Sequence, residues 1–343
     1  MTRPSELKPA RDENTCVGDL APFVSIIIPT YNRAKTLEKT IESLLLQTYP
    51  SQRYEIVVVD NNSKDSTRKV VEKFMDNTLV EVSYILERRQ GVHYARNVAL
   101  KRARGEILYY TDDDMIADAD LLTQVVRPFA LDAKVGTVTG RVLPLWEKPP
   151  PDWVLRFCNN GLLSLHHGPE DLIISGNDCG VYSCHQALRR DAFIAAGGYN
   201  PENTAGEWIG DGETGMNIKL KDLGYRFAYI GTAITHHVIP AERMTQAYLN
   251  RRLGNQGNCD SYTDYRRYRF NRINLICVTL NEFARSILHM GMFLVKLSVG
   301  KKSWRMELAY AQYFRKRMVY DFRLLIDKSW RNLVLKDNWL VDA

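Results

Sequence analysis

Three adjacent carboxylates, Asp112, Asp113 and Asp114 in "GEILYYTDDDM", directly follow a short apolar run. Neighbouring like charges raise one another's pKa and oppose burial, so such a triplet at a strand end needs water or a cation to neutralise it. A solvated turn is one reading, because Asp favours turns through local hydrogen bonds. A cation and nucleotide clamp is the other. Two further polar groups sit after apolar runs of the same kind: "PTYNR" (29 to 33) after "VSIII", and Asp60 at the end of "YEIVVVD". Ligands of open parallel sheets bind outside the carboxyl ends of the strands. Groups suited to a base, a ribose and a metal at successive strand ends therefore point to a nucleotide site. Neither GxGxxG nor GxxxxGK[ST] follows the first run, so a dinucleotide fold and a P-loop are not supported. A divalent cation bridging carboxylates and a diphosphate would hold the phosphate instead, since Mg2+ and Mn2+ prefer hard oxygen ligands.

The elements that must position these groups are readable from periodicity. "VSIII" (24 to 28), "YEIVVVD" (54 to 60), "VEVSYIL" (80 to 86) and "EILYY" (106 to 110) are strand-like. Leu37, Ile41, Leu44 and Leu45, then Val70, Val71 and Phe74, place apolar residues on single helical faces between them. The alternation predicts a parallel sheet covered by helices. Beyond it, "PLWEKPPPDW" (144 to 153) reads as a proline-rich loop. The stretch 157 to 180 is irregular, fitting either acceptor-binding loops or plain connections. "GEWIGDGETGMNIKLKDLGYRFAYI" (206 to 230) reads as an acidic helix start, a helix stopped by Gly224, and another strand.

A chain of 343 residues with 45% hydrophobic and 25% charged residues belongs to the globular class and can bury a sizeable core. Residues 1 to 20 are polar, lack the apolar segment of a secretory signal, and read as a loose leader. The six cysteines are scattered without a CxxC pair, which argues against both a disulfide framework and a structural zinc site and points to a reducing, cytoplasmic setting. The net charge of +6 is unevenly spread. From Arg266 onward sixteen Lys or Arg face six Asp or Glu, a net +10, leaving −4 for the rest. This tail holds an apolar segment, 275 to 299, interrupted by Asn281, Glu282, Arg285, His289 and Lys296. Those interruptions argue against a membrane-spanning helix. An amphipathic helix on an anionic membrane surface and a helical subdomain packed on the core with a solvated basic face remain equally open.

Taken together, "VSIIIPTYNR", "EIVVVDNNSKDST", "GVHYARNVALKRARGEILYYTDDD", "AAGGYN" and "GDGET" ahead of "KLKDLGYRFAYI" resemble the family 2 glycosyltransferases. The resemblance covers residues 22 to about 256. It implies an α/β GT-A fold, a Rossmann-like, mostly parallel sheet, with a catalytic domain over 21 to 260, a leader before it and a basic, largely helical extension over 261 to 343. It further implies inverting transfer of a sugar from a nucleotide diphosphate sugar, most often UDP-linked, to an acceptor hydroxyl, in polysaccharide, glycolipid or glycoconjugate synthesis. Pro29, Tyr31 and Arg33 fall where the family lines the base and phosphate pocket, and Asp60 where it contacts uracil or ribose. Arg96 occupies a donor-contact position. Asp112, Asp113 and Asp114 match the DxD element, with Asp112 and Asp113 toward the nucleotide and Asp114, with Asp112, toward Mn2+ or Mg2+. Asp114 is expected to be exposed.

His236, in "THHV", matches a site where relatives place a histidine near the metal. Capping of a strand end is the alternative. Arg243, Arg251 and Arg252 resemble a segment that closes over the donor phosphates, or else they are exposed arginines of a surface helix. Counting back from Gly224 puts Glu213 at the position of the family's catalytic base, with Asp211 as the second candidate; alternatively both acids only favour the helix N-terminus. Two rival functions remain. A nucleotidyltransferase is disfavoured by the lack of a glycine-rich, lysine-bearing loop after "SIIIP", and an inactive membrane-attached binding module by acidic elements at both 112 to 114 and 211 to 213.

Overall fold

The computed structural model describes residues 21 to 76 and 78 to 341; the leader, 1 to 20, lies outside them. The first half alternates as predicted: β1 (Val24–Thr30), α1 (Ala34–Leu45), β2 (Tyr54–Asp60), α2 (Thr67–Met75), β3 (Glu81–Leu86), α3 (Val92–Val98) and β4 (Ile107–Thr111). Parallel pairing of β3, β2, β1 and β4 in that spatial order makes one half of a nine-stranded sheet. Both faces of β1, β2 and β4 are covered, which is why they read as near-continuous apolar runs, while β3 lies half-buried at the sheet edge. Val24, Ile26 and Ile28 of β1 turn to one core with Leu37 and Ile41 of α1, while Ile27 turns to another with Ala95 and Val98 of α3.

The second half of the sheet continues through β8 (His185–Arg189), β6 (Val135–Trp146), β11 (Arg226–Ile239) and β5 (Met115–Ala117), with β7 (Leu172–Ser175) also on β11. Here β8 runs antiparallel between β4 and β6. The stretch read as a proline-rich loop from 144 is β6 as far as Trp146; the loop proper begins after it. Helices α4 (Leu121–Leu131), α5 (Asp152–Phe157), α6 (Arg190–Ala195) and α7 (Gly212–Asp222) and a small hairpin of β9 (Asn203–Thr204) and β10 (Glu207–Trp208) complete this part.

Four helices end the chain: α8 (Gln246–Tyr268), α9 (Arg272–Ser298), α10 (Trp304–Ile326) and α11 (Lys328–Val334). α8 runs through residue 260, the boundary expected between the catalytic domain and its extension. It is buttressed on both sides of that point. Leu249 and Leu253 join Met115 and Val142 of the sheet, and Tyr262 and Tyr265 join Tyr320 and Leu324 of α10. At Gly257 an added Cβ would lie 2.4 Å from the Tyr313 carbonyl oxygen, so α8 and α10 approach closely there. The tail is thus packed on the core through α8 and α10.

Candidate active site

The ends of β1, β2 and β4 open onto a cleft with a cavity volume of about 620 Å³. Pro29, Tyr31 and Arg33 line it from β1, and Asp112 and Asp113 from β4, with Arg243 reaching in from the segment after β11. Tyr31 leaves half of its surface open, a flat apolar face of the kind a nucleobase stacks on. Asn61 and Gln90, which sequence reasoning missed, also line the cleft. Asn61 shapes it by donating to the carbonyls of Glu87 and Arg89 and accepting from Gly91 N. Gly91 has φ 145°, and a Cβ there would meet the Asn203 carbonyl oxygen at 2.8 Å, so only glycine lets the β9–β10 hairpin lie across the cleft.

Each carboxylate of the triplet has its own partners. Asp112 accepts from Arg96 Nη2 at 2.6 Å. Asp113 accepts from Thr30 Oγ1 at 2.7 Å and Arg33 Nη1 at 3.0 Å, and burial pushes its carboxyl up to about 7 against the pull of Arg33. Asp114 is 4% exposed, contrary to the expectation that it lies open: the turn after β4 folds it under Arg33 and Arg243, at 2.7 and 2.8 Å. Burial raises its carboxyl, but His237, Arg243 and Arg33 outweigh that and hold it well below the usual range. Its Oδ1 is buried with no hydrogen-bond partner.

The imidazole facing that oxygen belongs to His237, at 3.6 Å, and not to His236. Side chains alternate along β11, so His236 turns the other way, to Asp118 Oδ1 at 3.4 Å. His237 Nδ1 donates to the Leu163 carbonyl at 2.9 Å, which turns Nε2 toward Asp114 and Arg243. An orphaned carboxylate oxygen beside an imidazole nitrogen whose lone pair is taken here by Arg243 Nη1 is a donor set that suits a divalent cation in place of that guanidinium.

A second group lies behind Asp112. Arg96, itself buried, spans from Asp112 to His93 Nδ1 at 3.2 Å. Since arginine only donates, His93 carries its proton on Nε2, which lies 3.1 Å from Glu202 Oε2. Burial and Arg96 lower the His93 pKa to about 3, keeping the ring neutral. One atom each of His93, Glu202 and Glu213 fall within 4.8 Å of one another. The His93 nitrogen that faces the glutamates carries the proton and offers no lone pair, so this is a poor metal cage. Glu213 receives Ser183 Oγ at 3.3 Å, and burial together with Glu202 raises its pKa. The Arg252 charge acts on Glu202 and Glu213, which places this arginine with the two glutamates and not among the cleft-lining residues.

Two expected site residues are turned elsewhere. Asp60 accepts from Ser63 N at 2.8 Å and Tyr84 Oη at 2.7 Å, so it holds the turn after β2 and Asn61 takes the cleft wall. Asp211 is buried against α8, accepting from Asn200 Nδ2 at 2.9 Å and Thr263 Oγ1 at 2.8 Å. The first turn of α7 begins at Gly212, φ 52°, and puts Asp211 and Glu213 on different sides of the helix start. Arg251 lies over the Tyr248 ring at an exposed position, the surface-helix alternative.

Sheet order, strand-end cleft and acidic turn define a GT-A fold of the nucleotide-sugar transferases. The profile of the family described as Glycosyl transferase family 2 matches residues 25–197, and the chain belongs to that family. It is 38% identical over 96 residues to the glycosyltransferase AglE of Haloferax volcanii, a match covering 27% of this chain and 31% of that protein. It is 26% identical over 238 residues to the succinoglycan biosynthesis protein ExoM of Rhizobium meliloti, covering 67% of this chain and 71% of that one. Among solved structures, the mannosyltransferase PcManGT of Pyrobaculum calidifontis, in complex with GDP-Man and Mn2+, superposes with TM-score 0.59 at 21% identity over 89% of both chains.

Proposed function

We propose that this chain is an inverting glycosyltransferase that moves a sugar from a nucleotide diphosphate sugar, UDP-linked, to an acceptor hydroxyl in polysaccharide, glycolipid or glycoconjugate synthesis. The observation that carries this reading is the hydrogen-bonded run from Asp112 through Arg96 and His93 to Glu202, which ties the acidic end of the cleft to Glu213. The relatives named above support the class of reaction. The choice of UDP rests on the sequence resemblance, since PcManGT was solved with GDP-Man.

In this reading Tyr31 stacks on the base, and Asn61 and Gln90 bound the nucleoside. Arg33 and Arg243 stand where a diphosphate would lie and neutralise the charge that grows on it as the bond from C1 to phosphate oxygen breaks. A Mn2+ or Mg2+ ion would be held by Asp114 Oδ1 and His237 Nε2, and when bound it supplies Lewis-acid stabilisation of the departing diphosphate. The acceptor oxygen attacks C1 from the opposite side, which inverts the anomeric centre. Its proton passes to the Glu213 carboxylate, a base whose raised pKa lies nearer neutrality than that of an ordinary glutamate. Arg252 and Arg96 keep the paired glutamates from repelling one another out of place.

The proposal includes a cytoplasmic location at the periphery of a membrane, and it is the basic excess of the C-terminal helices, which an anionic surface attracts, that supports the membrane part. No helix among the described residues is long and apolar enough to cross a membrane. Incubation with a panel of nucleotide sugars, with and without Mn2+ or Mg2+, followed by mass spectrometry, tests the core of the proposal. Release of nucleoside diphosphate is expected, with the sugar passed to water as the free sugar or to an added acceptor as its glycoside. Release of pyrophosphate from a nucleoside triphosphate and a sugar phosphate would mean a nucleotidyltransferase, and no turnover of any donor an inactive module.

A further inference from the structure

α9 runs for 27 residues and meets the rest of the molecule chiefly along α10. Toward α10 it turns Leu275 and Glu282, both buried, with His289 and Lys296, which pair with Glu307. Arg285, on the same side, lies over the Phe314 ring at 4.7 Å. The residues that interrupt the apolar segment in sequence are therefore gathered mainly on one flank. The opposite flank carries Ile273, Ile276, Leu280, Phe283 and Ile287, and the same alternation of three and four residues continues to Leu297. Members of this row are between 38% and 72% exposed. Small exposed residues, Ala284 and Gly291 among them, keep the flank smooth, and no charged side chain falls on it.

An apolar strip about 40 Å long is not left to water without cost. Its spacing would suit a coiled-coil seam with a second copy, but the charges at its ends do not. Arg267, Arg269 and Arg272 stand before its first turn, and Lys301 and Lys302 after its last, all exposed. Parallel pairing would set each cluster against itself, and antiparallel pairing would set one against the other. The carboxylates Glu282 and Glu307, which would have to compensate, are buried between α9 and α10. A surface of anionic headgroups over hydrocarbon satisfies strip and ends together, with the apolar flank sunk roughly 5–10 Å and the basic ends at the phosphates.

We infer that α9 lies in the plane of an anionic membrane leaflet and inserts its apolar flank, from Ile273 to Leu297, so that the hairpin of α9 and α10 is the membrane-docking element of the enzyme. This rests on the proposed peripheral attachment and changes its basis, from diffuse attraction of a basic tail to insertion of one helix face.

The test uses the full chain and vesicles of equal parts phosphatidylcholine and phosphatidylglycerol. Among the described cysteines Cys277 alone is exposed and sits on this flank, so in a Cys16→Ser background it takes a polarity-sensitive thiol label. Wild type should co-sediment with the vesicles, and the label should shift to the blue. Leu280→Ser with Ile287→Ser, at exposed positions that the fold does not need, should weaken partitioning about a hundredfold. Leu79→Ser, an exposed control before β3, should not. Donor hydrolysis should be the same in all of them. If wild type binds and the double variant binds equally with no label shift, the helix inference fails while peripheral attachment stands. If wild type ignores the vesicles at low salt, attachment itself fails. A label shift that grows with protein concentration without lipid, with a doubled mass, would assign the flank to a second copy.

Discussion

Replacing Glu213 by glutamine should separate chemistry from scaffold. The carboxylate receives a side-chain hydrogen bond from Ser183 at 3.3 Å and sits beside Glu202 in a site that disfavours its charge. A neutral amide of the same shape should therefore leave the fold intact or slightly firmer. A carboxylate whose folded pKa is raised costs the folded state stability once it ionises, so the gain should be present at neutral pH and vanish below the unfolded value of about 4.3. Turnover should move the other way. Removal of a general base lowers kcat by about 10² to 10⁴, or roughly 2.7 to 5.5 kcal/mol of barrier, while donor KM stays near normal. Wild-type kcat should fall as pH drops through the raised Glu213 pKa, and the variant should lack that limb. Asp211→Asn should show the reverse pattern, because Asp211 accepts from both Asn200 and Thr263. An amide must turn a donor toward one of them, at about 1 to 3 kcal/mol of stability. Steady-state kinetics across pH, with thermal melts of each variant, read both quantities. Turnover of Glu213→Gln within tenfold of wild type, with turnover lost in Asp211→Asn beyond its melting effect, would refute the assignment.

Chelation should abolish transfer, and Mn2+ added back should restore it. His237→Ala should weaken Mn2+ binding at least about tenfold by calorimetry, whereas His236→Ala, which faces Asp118, should leave it unchanged. His93 has a folded pKa of about 3 against about 6.5 unfolded, so it contributes stability above about pH 6.5 that is lost as pH falls toward 3; urea unfolding should show this slope, and His93→Gln should flatten it. Gly140→Ala should destabilise the sheet by about 1 to 3 kcal/mol or more, since its Cβ would lie 2.3 Å from the Ala233 carbonyl oxygen, and denaturant midpoints read the loss.

Much of the architecture was legible before any coordinates. The strands β1, β2 and β4 are predominantly apolar because both faces are covered, whereas β3 at the sheet edge is half-buried, and a covering helix shows its spacing locally. Once those strands are parallel, "PTYNR" and the Asp triplet must share an edge, so the cleft followed from periodicity alone. The antiparallel insertion of β8 was not legible. His185–Arg189 pairs with β4, which lies more than seventy residues earlier, and nothing within the segment encodes that choice.

What local pattern leaves open is which way a side chain points once its element has docked. "THHV" offers two histidines one residue apart, and only the register of β11 on β5, His237 against Met115, decides which meets Asp114. "GDGET" offers two acids, and only the contact of α7 with α8 turns Asp211 to Thr263 and leaves Glu213 toward the cleft group. Asp60 stands where a nucleoside contact was expected, yet Tyr84 from the neighbouring strand takes its second oxygen. In α9 the charged interruptions looked like breaks in an apolar run, and packing on α10 sorted them from the exposed flank. Composition, period and strand-end position act between near neighbours and are written in the sequence. Side-chain partnership between separate elements is settled only when the chain closes on itself, because each donor and acceptor then takes whichever partner the packed core brings within reach.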